Sequence, residues 1–131
     1  MIHGVMQQML PGTGHLLKSR AFETRVEGCT LASLDGDTSR EMDIPEGGIV
    51  HIDDAVLEKG PGSENPEMIG YLAEEYDPTR THSFTMVNSR LVNDQGKVSL
   101  LPQRSLRASL VIVETLALCI VTTDCCARHD Q

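Results

Sequence analysis

The stretch SLRASLVIVETLALCIV, residues 105–121, decides the fold class. Leu106, Leu110, Val113, Ala117 and Ile120 recur at four-three-four-three spacing, which predicts one long, mostly buried helix. The β-branched run Val111-Ile112-Val113 leaves two strands as the alternative. With the helix chosen, the elements upstream sort into strands and helices together, and the expected class is α+β.

Immediately upstream, Ser83 to Val92, the turn Asn93-Asp94-Gln95-Gly96 and Lys97 to Leu101 predict a β-hairpin. Simple alternation puts Phe84 and Met86 on one face and Thr85, Val87, Ser89 and Leu91 on the other. Asn65-Pro66-Glu67 has the order of a helix start: cap, proline at the first helical position, acid in the first turn. That helix is expected to run to about Tyr76, with Met68, Ile69 and Leu72 inward. Its end carries Glu74, Glu75 and Asp77, the wrong sign for a helix C-terminus. Asp53 caps a short helix over 54–59 that Gly60 closes, and Gly60-Pro61-Gly62-Ser63 reads as a loop.

Toward the N-terminus, Glu41 to Ile44 and Gly48 to Ile52 read as short strands, and Phe22 to Leu34 as weakly periodic strand. Asp35-Gly36-Asp37 is a turn. Ile2, Val5, Met6 and Met9 predict a short amphipathic helix ended by Pro11-Gly12. No internal repeat stands out. The expectation is one domain over residues 1–131: a mostly antiparallel sheet packed against two to four helices.

Charge is distributed more unevenly than apolar residues are. Of nineteen acidic residues, thirteen lie between Asp35 and Asp77, opposed there only by Arg40 and Lys59. The flanking segments carry a slight basic excess, so the net charge of −8 conceals an acidic middle third. Such a block must be solvated, bind cations or face a basic surface. Aromatic residues are 3% of the chain, with no Trp. That scarcity and the acidic balance argue against direct nucleic-acid binding. The longest apolar run, Leu110 to Val121, contains Glu114 and Thr115 and falls short of the ~20 residues of a membrane span. The N-terminus lacks a basic segment followed by an apolar one, and the four cysteines form no disulfide framework. A soluble, cytoplasmic protein with reduced thiols is expected.

Two local patterns bear on metals and catalysis. Asp35, Asp37, Ser39, Asp43 and Glu46 fall at positions 1, 3, 5, 9 and 12 of a twelve-residue run, a spacing that resembles an EF-hand calcium loop. Arg40 stands where that loop needs glycine, and Pro45 where its exiting helix begins. His51 and Asp53 would share one face of a strand, as in a carboxylate-oriented imidazole. The tail Cys125-Cys126, with Cys119 upstream, lacks the second spaced pair of a structural zinc site. No nucleophile elbow, Walker loop, dinucleotide fingerprint or zincin motif occurs.

The function expected from these features is a small non-enzymatic binding module, an adaptor, chaperone-like protein or inhibitor, that engages a basic protein partner. The contact residues would be Asp53, Asp54, Glu58, Glu64, Glu67, Glu74, Glu75 and Asp77, with electrostatic complementarity setting on-rate and specificity. The alternative is a cation-binding protein or metal-dependent hydrolase using His51 and Asp53 or the Asp35–Glu46 loop; no cofactor is expected of the binding module, and calcium is the ion that would suit the loop. A homodimer paired through the 105–121 helix is a further expectation.

Overall fold

The computed structural model describes residues 2–7, 14–65, 67–95, 109–113 and 116–119, with side chains over 14–65 and 67–95. Eleven strands occur among the described residues, in order: β1 (Ile2–Gln7), β2 (Gly14–Lys18), β3 (Glu23–Ala32), β4 (Thr38–Ile44), β5 (Ile49–Asp53), β6 (Val56–Lys59), β7 (Ile69–Tyr71), β8 (Ser83–Val87), β9 (Arg90–Asn93), β10 (Ser109–Val113) and β11 (Leu116–Cys119). Every pairing is parallel. No helix occurs among the described residues.

The α+β expectation is therefore corrected. The two to four helices are absent from the described residues, and the antiparallel sheet is replaced by parallel ladders. The expected helix at the N-terminus is β1, the one over 54–59 is β6, and the one after Asn65 contains β7 and turns. The hairpin is also corrected: β8 and β9 lie in one sheet but do not pair with each other. Its expected return strand, 97–101, lies outside the described residues, as does Pro11-Gly12. Within 105–121 the two-strand alternative holds, as β10 and β11.

A parallel pair needs a crossover, ordinarily a helix. Here the crossover is the rest of a coil. The larger sheet runs β10-β8-β5-β3-β6-β9-β11 with β1 beside β3, and the smaller runs β2-β4-β7. Ile2, Val26, Ile52, Met86 and Ile112 stand in one register column, each partnering the next. Each coil thus takes roughly 25–35 residues, inside the usual range of stacked repeats. The chain is a parallel β-solenoid, and the repeat that sequence reading missed is one of register rather than of residue identity.

A bend divides the larger sheet's strand into β5 and β6 in one coil and β8 and β9 in the next, and the same place in the unbroken β3 is a bulge. Gly28, Asp54 and Asn88 occupy it, all left-handed, with φ of 60°, 50° and 49°. Glycine, Asp and Asn are the residues that tolerate this conformation best. The bend shifts the inward phase by one residue. Phe84 and Met86 are buried before it, and Ser89 and Leu91 after it, so Leu91 joins Phe84 on the inner face instead of opposing it. Val50, Ile52, Ala55 and Leu57 repeat the same pattern one coil earlier.

The core lies between the two sheets. Val26, Ile52 and Met86 stack in one column, and Leu31, Leu57 and Leu91 in another. Met42, Ile69, Ile44 and Tyr71 face them from the smaller sheet. Tyr71 meets Phe84 edge-on at 5.4 Å between ring centroids, and its hydroxyl donates to the Gly48 carbonyl at 2.7 Å. Burial pushes that phenol up to about 12.

Candidate functional site

The solenoid divides the thirteen central acids into three groups. The first is internal. Glu41 and Met42 both donate their backbone N–H to the Met68 carbonyl, at 3.1 and 3.2 Å. Two residues opposing one make a β-bulge, which re-aims side chains. It buries Glu41 beside Met42, and the Glu41 carboxylate accepts from Ser33 Oγ at 2.6 Å. Lys59, also fully buried, places Nζ 3.8 Å from Glu41 Oε2 and donates to Ser63 Oγ at 2.7 Å. Desolvation holds Glu41 above the ordinary carboxylate range and Lys59 below the ordinary amine range, each only partly offset by the other.

The second group is held by cations. Asp43 lies under Lys18 Nζ at 2.9 Å, His15 Nε2 at 3.3 Å and Arg40 at 3.4 Å. Lys18 stands beside Asp43 in register, and Gly70 stands on the other side. Burial lowers the His15 pKa, opposed by the Asp43 charge. Arg40 also reaches Glu67 at 3.3 Å. Arg20 bridges Glu46 and Glu74, at 2.5 and 2.8 Å, and Arg80 reaches Glu46 at 3.4 Å. The hydrogen bond from Arg20 is the main reason that Glu74 titrates low.

The third group has no basic side chain within ion-pair distance among the described residues: Asp35, Asp37, Asp53, Asp54, Glu58, Glu64, Glu75 and Asp77. Asp53 and Glu58 point outward, opposite to buried Ile52 and Leu57, and Asp54 is exposed at the bend. Asp53 accepts from Asn88 Nδ2 at 2.9 Å in the next coil, and stands in register with Glu27 in the previous one. Past β6 the loop 60–65 packs on the turn 33–38. Glu64 N donates to the Thr38 carbonyl at 2.9 Å, and a Cβ on Gly60 would overlap the Leu34 carbonyl. That contact brings Asp35, Asp37 and Glu64, all exposed, to the edge of the coil that follows β6. Glu75 and Asp77 lie in the turn after β7, where Asp77 accepts from the Thr79 hydroxyl and backbone N–H, which lower its pKa.

The residues assigned to partner binding are therefore not one surface. Asp53, Asp54, Glu58 and Glu64 lie on the β5–β6 side. Glu67, Glu74, Glu75 and Asp77 lie around β7 and its following turn, and Glu67 and Glu74 are already paired. Of the run that resembles a calcium loop, Asp35 and Asp37 lie in the β3–β4 turn, Ser39 and Asp43 on β4, and Glu46 in the turn after it. Asp43 and Glu46 face cationic side chains. Among the described residues no three His, Cys, Asp or Glu side chains converge as metal ligands. His51 and Asp53 do share the outer face of β5. Cys29 is a buried thiol that donates to the Glu27 carbonyl at 3.3 Å, and Cys125 and Cys126 lie outside the described residues.

The Glu41–Lys59 pair was not foreseen. Lys59 follows Leu57 at the spacing of an inward strand position, which is its one sequence signal; nothing local announces the bulge that turns Glu41 in. No helix among the described residues is long and apolar enough to cross a membrane. No protein-family model matches the chain, and neither a curated protein nor a solved structure matches it.

Proposed function

We propose that the protein is a non-enzymatic binding module that engages a basic protein partner along the β5–β6 side of the solenoid, through Asp53, Asp54, Glu58 and Glu64, with Asp35 and Asp37 extending the surface. One observation carries the reading: among the described residues Lys18, Arg20, Arg40, Lys59 and Arg80 are committed to Glu41, Asp43, Glu46, Glu67 and Glu74, and Arg25 to Glu23, so the carboxylates of this side outnumber its one neighbouring cation, Arg90 on the outward face of β9. The ladder fixes Asp53 and Glu58, and the packing of loop 60–65 on the turn 33–38 fixes Glu64, so a lysine- or arginine-rich surface meets carboxylates that are already ordered.

Titration with poly-L-lysine over a range of sodium chloride tests the proposal. Affinity should fall about tenfold or more between low and moderately high salt, as expected for exposed charges. The combined variant Asp53→Asn, Asp54→Asn, Glu58→Gln, Glu64→Gln should bind weakly at every salt, and Glu46→Gln with Glu74→Gln should bind as the parent does. Salt-independent binding, or equal loss in both variants, would refute it.

A further inference from the structure

Among the described residues the ladders of the larger sheet end at β1 on one side and at β10 and β11 on the other. Among the described residues β1 pairs only with β3, and β10 and β11 pair only with β8 and β9. Each leaves a row of backbone N–H and C=O groups along one edge, and such a row is a template for another strand. Parallel solenoids need polar terminal caps to stay apart. Here the end strands read IHGVMQ, SLVIV and LALC, which are apolar apart from His3, Gln7 and Ser109.

The two edges belong to the same ladder, run in the same direction and are related as one coil is to the next. We propose that a second copy of this chain stacks there head to tail, β1 of one copy adding in parallel to β10 and β11 of the other. The internal register fixes the junction. Ile2 would continue the column of Val26, Ile52, Met86 and Ile112. Met6 would continue that of Leu31, Leu57, Leu91 and Ala117. The described members of both columns are buried apolar residues. His3 would meet Val113, continuing the column of Glu27, Asp53 and Val87. No position along the junction opposes two charges of one sign. A head-to-tail contact of this kind does not close on itself, so it yields a series of lengths rather than a dimer.

The proposal is independent of the basic-partner surface, and salt separates the two. Each copy carries a net charge of −8, so screening should strengthen self-stacking while it weakens poly-L-lysine binding. Sedimentation velocity of the full chain should show monomer giving way to dimer, trimer and longer species as concentration and salt rise. For the register, chains carrying only His3→Cys are mixed with chains carrying only Val113→Cys and oxidised mildly. A covalent pair linking positions 3 and 113, identified by peptide mass, should form in the mixture. Within either preparation alone, positions 3 and 3, or 113 and 113, should not link. A single monomeric species at all concentrations, a closed dimer, or linkage of position 3 to position 3 would overturn the proposal. The unsubstituted chain supplies the mass series, so the proposal stays open to refutation if either variant misfolds.

Discussion

At the residue scale, the left-handed bend sets which side chains face inward. Asp54 and Asn88 adopt φ near 50°, where a β-branched side chain is strained. Asp54→Val should destabilise by about 1–2 kcal/mol, and Asp54→Gly should change stability by only a few tenths of a kcal/mol. Asn88→Val should cost more than Asp54→Val, because it also removes the hydrogen bond to Asp53. Urea unfolding of the three variants checks the order, and equal losses would mean that the bend is not what constrains these positions. The acidic side chains that earlier stood as equals in the sequence are separated by environment: Asp43 is held by three basic groups, and Asp54 three residues before Leu57 is open to solvent.

The buried pair yields a second prediction at this scale. Glu41 has its pKa raised, so its contribution to stability is greatest at low pH and falls as pH climbs from the unfolded carboxylate value through the raised folded one. Lys59 has its pKa lowered, so its contribution grows as pH climbs from the lowered value to the ordinary amine value. Where both groups are ionised, two charges are buried and the cost of burying them is highest. Lys59→Met alone, which strands Glu41, should cost about 3–5 kcal/mol near neutral pH, whereas Glu41→Leu with Lys59→Met should be neutral or stabilising. The advantage of the double variant over the parent should be largest near neutrality and shrink toward acid and alkali. An advantage that is flat with pH would show that the pair is not charged in the folded protein.

At the element scale, the coil explains why strands were legible in some places and taken for helices in others. Alternation located β5 and β8, because each lies wholly on one side of a bend, and only the part of β4 from Glu41 to Ile44 was read as strand, where the bulge at Glu41 breaks the alternation. Across a bend, inward positions fall two, then three, then two residues apart, as at Phe84, Met86, Ser89 and Leu91. A seven-residue span with apolar ends mimics a heptad, and Leu110 and Ala117, the register partners of Phe84 and Leu91, supply it in 105–121. The cap-like Asn65-Pro66-Glu67 fails for a different reason: Asn65 N bonds the Ser39 carbonyl in the neighbouring coil and its amide bonds Ser39 Oγ. Tertiary pairing overrides the local signal. The outward placement of His51 and Asp53 was readable because it needed only a two-residue period within one strand.

The phase shift itself can be tested by length. Inserting an Ala after Asn88 lengthens the bend by one residue and turns Ser89 and Leu91 outward, since a one-residue slip flips every following side chain. Loss of the cooperative unfolding transition is expected, while Asn88→Gly should keep it. A cooperative insertion variant would show that the inward phase of β9 does not depend on the length of the bend. A separate constraint acts in the smaller sheet, where a side chain at position 70 would collide with Asp43 and Arg40. Gly70→Ala should therefore cost about 1–3 kcal/mol, as overpacking does, and thermal unfolding would measure it. An unchanged midpoint would mean that the ion cluster yields without loss.

At the scale of the whole molecule, stacking and charge oppose each other. Each coil places its outer residues one strand spacing from those of the next, so acids recruited to one side repel across coils, as Glu27 and Asp53 do in register. The cost falls on the β5–β6 side, because Arg20, Arg40, Arg80 and Lys18 neutralise acids elsewhere. If that anionic side exists for a partner rather than for the fold, relieving it should stabilise the free protein. The melting temperature of the parent should rise with sodium chloride as screening reduces repulsion. The variant Asp53→Asn, Asp54→Asn, Glu58→Gln, Glu64→Gln should melt higher than the parent at low salt, gain less from added salt, and have lost poly-L-lysine binding. Stability and binding would then move in opposite directions with the same four carboxylates. A variant that melts lower than the parent at low salt would assign these acids to the fold instead, and the basic-partner surface would have to be sought elsewhere.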